Sequence, residues 1–291
     1  MDQFDFFTEN HGVSLRNDVI LAIEQADVPL ARSALQILCK NYPQDDCLGE
    51  LQLLIDSVQA RTSALFGCHE ALRSARLALQ TQMTPAAQRA LGERSAASWL
   101  RIRWGELAER AALLAFRPDQ VQDHAAPLWL LAQQWQTAAD AVAKIESWRR
   151  IPAPLAWMLQ ARLALQGLQT NWGLLAELAW LKPALLAEVI KLSPDLILQS
   201  MVNRFEQNFE GVGDDRDLAW FPAWVLIERP HLASALTLAQ ASGYSESEQA
   251  MRVLIELLGL ERQGRQRDLV ERRQTLRNLN SVLYAAYMEK R

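Results

Sequence analysis

The sequence predicts an all-α protein made of stacked antiparallel helical hairpins, and three observations carry that prediction. Apolar residues recur at helical spacing from one end of the 291-residue chain to the other. Prolines and capping residues cut this pattern into lengths typical of globular helices. No segment alternates apolar and polar residues, enriched in β-branched types and flanked by turn dipeptides, as a sheet requires.

The first clear helix spans roughly residues 28–41, where Ala31, Ala34, Leu35, Leu38 and Cys39 fall at i, i+3, i+4, i+7 and i+8. Leu51, Leu54, Ile55 and Val58 repeat the spacing, as do Ala250, Val253, Leu254, Leu257 and Leu258. Ser245 with Glu248 has capping-box spacing, and Thr84-Pro85 places a proline just inside an expected helix start. Prolines 118, 127, 152, 154, 183, 194, 222 and 230 divide the C-terminal part into short helices, because proline is tolerated in a first turn and not inside. Glu210 to Asp217, with Gly211, Gly213 and several charges, reads as a solvent-exposed loop.

Short connections make sequential helices antiparallel, giving a bundle or a solenoid. Val19 to Asp46 reads as helix, a Gln25-Ala26-Asp27 turn, a second helix through Leu30-Ala31-Arg32-Ser33-Ala34-Leu35-Gln36-Ile37-Leu38, and then Asn41-Tyr42-Pro43. This segment resembles a tetratricopeptide-type (TPR-like) helical hairpin. A second pair is expected across Ala250 to Tyr287, turning at Gly264. A strict 34-residue period does not run through the middle, so the resemblance implies a divergent TPR-like array. The expected organisation is an N-terminal segment at 1–16, a helical region at 17–117, and a second at 118–291 continuous with the first, with Arg117 to Pro127 interrupting the periodicity.

Composition narrows the function classes. A formal charge of −4 argues against a broad nucleic-acid footprint, which needs a basic surface to neutralise phosphates. No membrane span is expected, since charges break every long apolar stretch. The opening residues, with Asp2, Asp5 and Glu9, lack the features of a secretory leader. Three cysteines, an odd number in a long chain, do not suggest a disulfide framework, and a cytoplasmic setting is expected.

Cys39, Cys47, Cys68 and His69 are ligand types that zinc accepts, but their spacing fits no standard site and Cys39 is expected to be buried on its helix's apolar face. Glu228 and His231 stand three apart without the second pair that a di-iron bundle needs. Asp214, Asp215 and Asp217 match no EF-hand pattern and read as a solvated acidic loop. Nucleophile elbows and Gly-rich phosphate loops are missing from the sequence. No catalytic residue, metal ligand or cofactor is therefore expected.

The ten tryptophans need an explanation, and packing is the default one. Trp99 fits it, in step with Ala96, Arg103, Leu107 and Leu114. Two places stand out as partner-binding candidates: Trp148 with Arg149 and Arg150, and Trp220 with Phe221 and Trp224, because tryptophan and arginine dominate interface hot spots. The arginines at 262, 265, 267, 272, 273 and 277 are interleaved with Glu261, Asp268 and Glu271 and read as a solvated helix face. The expectation is a non-catalytic scaffold or adaptor that binds another protein, with no nucleic acid or membrane partner and with self-association open. The alternative is a helical small-ligand receptor or enzyme with an inter-helix pocket.

Overall fold

A computed structural model describes residues 2–240 and 245–291, with side chains from position 11 onward. Among the described residues the chain is helical and contains no strand. It divides into two compact units, Met1–Gln134 and Trp135–Arg291.

The first unit opens with α1 (Asp2–Glu24) and α2 (Val28–Asn41), packed against each other as the expected hairpin. The expected separate segment at 1–16 is part of α1. Ala26 adopts a left-handed φ of 57° in the turn, and Asp27 caps α2 by accepting from the Leu30 N–H at 3.0 Å. In α3 (Leu48–Gln59), Leu51, Leu54, Ile55 and Val58 are all buried, the face that the spacing predicts. Cys39 is a correction: it is exposed, while Ala31, Leu35 and Leu38 face inward. At 100° per residue Cys39 lies about 70° off the mean direction of those three, at the margin of the apolar stripe.

A helix begins at Thr84 with Pro85 in its first turn, as expected, but no break precedes it. The chain runs from α4 (His69–Ala78) through a π-helical turn at Leu79–Met83 directly into α5 (Thr84–Arg110). A widened turn accommodates a proline that can donate no hydrogen bond, and the Thr84 hydroxyl donates to the Leu79 carbonyl at 2.9 Å. Within α5, Gly92 has φ 75° and ψ 164°, so two helices meet there at a kink. The interruption read at Arg117 to Pro127 lies inside the first unit and leads into α6 (Ala125–Leu131), whose residues 125–130 are all buried.

In the second unit, α7 (Trp135–Ala143) is followed by a 3-10 turn at Trp148–Arg150 and by α8 (Pro152–Gln166), α9 (Trp172–Leu181) and α10 (Pro183–Leu192). Pro152 and Pro183 open α8 and α10, in the first-turn position where a missing N–H costs nothing. The chain continues through α11 (Leu196–Asn208), a 3-10 segment at Asp215–Trp220, α12 (Phe221–Glu228), α13 (Ala233–Thr237), α14 (Glu246–Gln263), α15 (Gln266–Leu279) and α16 (Ser281–Glu289). The α14–α15 pair is the second expected hairpin, turning at Gly264 in the left-handed region with φ 68°. Ser245 caps α14 by accepting from the Glu248 N–H at 3.1 Å. Helix α9 sits at the centre, touching α8, α10, α12 and α13.

The glycines yield a prediction with opposite signs. At Gly92 a side chain meets open space but an unfavourable backbone, so Gly92→Ala is expected to cost about 1–3 kcal/mol. Gly259 lies inside α14 with equally open space, so Gly259→Ala gains up to about 1 kcal/mol from helix propensity. Urea midpoints of the two variants move in opposite directions from wild type; movement in one direction refutes the kink.

Candidate functional site

Helix α9 reads Trp-Gly-Leu-Leu-Ala-Glu-Leu-Ala-Trp-Leu, and residues 172–179 are all buried, Glu177 among them. A carboxylate in such surroundings needs compensation. Arg149 provides it bidentately: Nε donates to Oε2 at 3.0 Å and Nη2 to Oε1 at 3.1 Å. The backbone N–H of Gln240 adds a third bond to Oε1 at 2.8 Å. Burial pushes the Glu177 carboxyl up from its ordinary value, opposed by the Gln240 N–H and by Arg149.

One turn before Glu177 on the same face stands Gly173, where a Cβ would lie 3.2 Å from the Ala239 nitrogen. The absent side chain admits the chain at 238–240, and Glu177 then fixes it. The same segment is held from α14, where Arg252 donates to the Ala239 carbonyl at 3.2 Å and pairs with buried Glu248 at 3.0 Å. Two buried acids and two arginines thus tie the 148–150 turn, α9, the end of α13 and α14 together.

This network places the first group of candidates. Ser147 takes a left-handed φ of 55°, and the 3-10 turn that follows carries Trp148 and Arg149 half-buried and Arg150 exposed. The Arg149 guanidinium lies 5.5 Å from the Trp148 ring centroid while it pairs with Glu177. The turn is therefore anchored through Arg149 and presents Trp148 and Arg150 at its rim.

The second group is corrected. Phe221 is fully buried and Trp224 is 4% exposed, so neither offers a binding surface, and Trp220 is half-buried. Phe221 and Trp224 join an aromatic core in which Phe205 meets Phe221 at 5.5 Å and Trp224 at 5.6 Å, both edge-on, and stacks on Phe209 at 4.8 Å. The reason is visible in α12: Phe221 through Ile227 are buried on every side, leaving no polar face to turn outward.

The metal candidates are not brought together: among the described residues no group of three or more His, Cys, Asp or Glu is placed to hold an ion. Asp217 folds back on its own loop, accepting from the N–H groups of Val212 and Gly213 at 2.9 and 2.6 Å, and Asp214 binds Arg216. Glu228 pairs with Arg204 at 2.8 Å and Lys290 at 3.1 Å. Of the arginine cluster, Arg265 pairs with Asp268, Arg272 with Glu256 and Arg273 with Glu261.

The first unit holds a polar cluster that the sequence reasoning missed. Asp123, 2% exposed, accepts from Arg73 Nε at 2.9 Å and Arg76 Nε at 3.0 Å. Next to it His124 caps α6, its Nδ1 accepting from the Ala126 N–H at 3.1 Å. Burial, with a smaller electrostatic contribution from nearby His69, pushes the His124 imidazole down to about 4. The i, i+3 spacing of Arg73 and Arg76 was the one available signal, and it names no partner.

No known protein family, curated protein or solved structure matches the chain.

Two outcomes check this geometry. Trp224→Ala is expected to cost about 3–5 kcal/mol, the range for emptying a large aromatic site, and Trp148→Ala about 1 kcal/mol or less, by chemical denaturation. Comparable losses at both positions contradict the placement. The second outcome concerns pH. Native His124 stays neutral down to about pH 4, while the unfolded chain takes up the proton near 6.5, so His124 withdraws stability as pH falls through that window. Between pH 7.5 and 5 the loss amounts to about 2 kcal/mol. His124→Asn keeps an N-cap acceptor and does not titrate, so its stability falls less over the same range. Equal slopes for the two proteins remove His124 as the cause.

Proposed function

We propose that this chain is a non-catalytic scaffold or adaptor whose helical hairpins, stacked as a divergent TPR-like array, present a surface for another protein. The observation that carries this reading is the 148–150 turn. Arg149 is locked onto a buried carboxylate, and this lock holds Trp148 half-exposed beside exposed Arg150. A tryptophan carried on an anchored turn loses little entropy when it binds, which is the property of an interface anchor. The buried acids support the same reading, since Glu177, Glu248 and Asp123 each bind arginine and so serve architecture. No helix among the described residues is long and apolar enough to cross a membrane.

A small-ligand receptor is the second reading, and one observation favours it: a cleft of about 390 Å³ in the first unit, lined in part by buried His69.

The adaptor reading is tested with the tagged full chain and a Trp148→Ala, Arg150→Ala variant that retains wild-type circular dichroism. A protein captured from native extract is purified and titrated against both. A Kd weakened at least about tenfold in the variant supports the 148–150 surface. Equal affinity moves the interface elsewhere. Sedimentation of the chain alone shows whether the partner is a second copy.

A further inference from the structure

The cleft in the first unit opens between the start of α4 and the chain at 113–120, and His69, Glu70, Leu113, Leu114, Arg117 and Gln120 line it. We propose that it binds an α-carboxylate carried next to an apolar side chain and an N–H donor. A free apolar amino acid and the C-terminal residue of a peptide share this chemistry. The site is separate from the 148–150 turn, so it stands or falls independently of the adaptor reading.

Three groups in the cleft are uncommitted, and together they specify the ligand. Arg117 is exposed and has no carboxylate within ion-pair distance among the described residues. Its planar guanidinium matches a carboxylate through two parallel hydrogen bonds. Gln120 lines the cleft half-exposed, with its amide oxygen turned away from solvent, buried and without a hydrogen bond. A buried acceptor left unpaired is costly, so turning the Gln120 amide into the cleft to accept from a ligand N–H relieves it. Leu113, 77% exposed, and Leu114 supply an apolar wall.

The rest of the lining decides between anions. Glu70 brings a negative charge to the cleft, held only loosely by Arg73 at 3.7 Å. One cation and one anion leave the cleft near neutral, which disfavours a doubly charged phosphate and suits a group with a single negative charge or a zwitterion. The floor is pre-formed, because His69, 7% exposed, has Nε2 at 2.8 Å from the Ala115 carbonyl, joining α4 to the 113–120 chain. About 390 Å³ lies at the small end of ligand sites, enough for one residue or a dipeptide.

The experiment is calorimetric titration of the full chain with L-leucine, N-acetyl-L-leucine and L-leucinamide. Binding of L-leucine or N-acetyl-L-leucine is expected, with leucinamide weaker by at least about tenfold because it lacks the carboxylate. Arg117→Ala and Gln120→Leu each weaken the bound ligand by a similar factor at unchanged circular dichroism. L-leucine alone binding, with loss in Glu70→Gln, assigns the site to a free amino acid whose ammonium meets Glu70. N-acetyl-L-leucine binding as well as or better than L-leucine assigns it to a peptide C-terminus. No heat from either carboxylate at about 10 mM overturns the proposal. So does binding that is indifferent to Arg117→Ala or equal for leucinamide.

Discussion

One charge in the middle of an otherwise apolar helix constrains the second unit. Helix α9 is buried along nearly its whole length, so Glu177 cannot escape by turning to solvent. Removing a carboxylate from water costs several kcal/mol, and only close, well-aligned partners recover it. Both partners come from far along the chain: Arg149 from 28 residues before and the Gln240 N–H from 63 residues after. A core of leucine and alanine tolerates many arrangements of similar volume, whereas this carboxylate is satisfied in very few. Gly173 sharpens the constraint, since its missing side chain is what allows the 238–240 chain to reach the carboxylate.

The first unit solves a related problem by a different route. Asp123 sits at the end of an irregular connection and is almost fully buried, with two arginines from a single helix face converging on it. Here the helix brings the cations and the loop brings the anion, the reverse of the α9 arrangement. The outcome is that a stretch without regular hydrogen bonding, 111–124, is pinned where α6 begins. His124 completes the join by capping that helix, and it serves as an acceptor only while its Nδ1 is unprotonated.

Much of the helical grammar was legible in the sequence because it is local. The faces of α3 and α14, the turn at Gln25-Ala26-Asp27, the Ser245 cap, and the prolines opening α8 and α10 all follow from residues within one or two turns of each other. The misreadings share a cause. Spacing shows that a residue lies near an apolar stripe, but not how wide the neighbouring helices make that stripe, so Cys39 falls just outside it. Thr84-Pro85 marks where α5 begins, but the π turn that joins it to α4 without a break leaves no motif. Long-range pairing was invisible, since nothing near Arg149 points to Glu177.

The tryptophans show where local signals mislead and what corrects them. Both candidate groups combined aromatic residues with a nearby turn, and on that evidence they looked alike. What separates them is the company of the helix that follows. Phe221 and Trp224 belong to Phe-Pro-Ala-Trp-Val-Leu-Ile, a run without a polar position, and a helix with no polar face has no way to lie at the surface. Trp148 is followed by two arginines, one of which is drawn inward by Glu177 while the other remains in solvent. The absence of a polar face in α12 was readable from the sequence. The direction in which Trp148 points was not, because it is set by an ion pair whose other half lies in the centre of the unit.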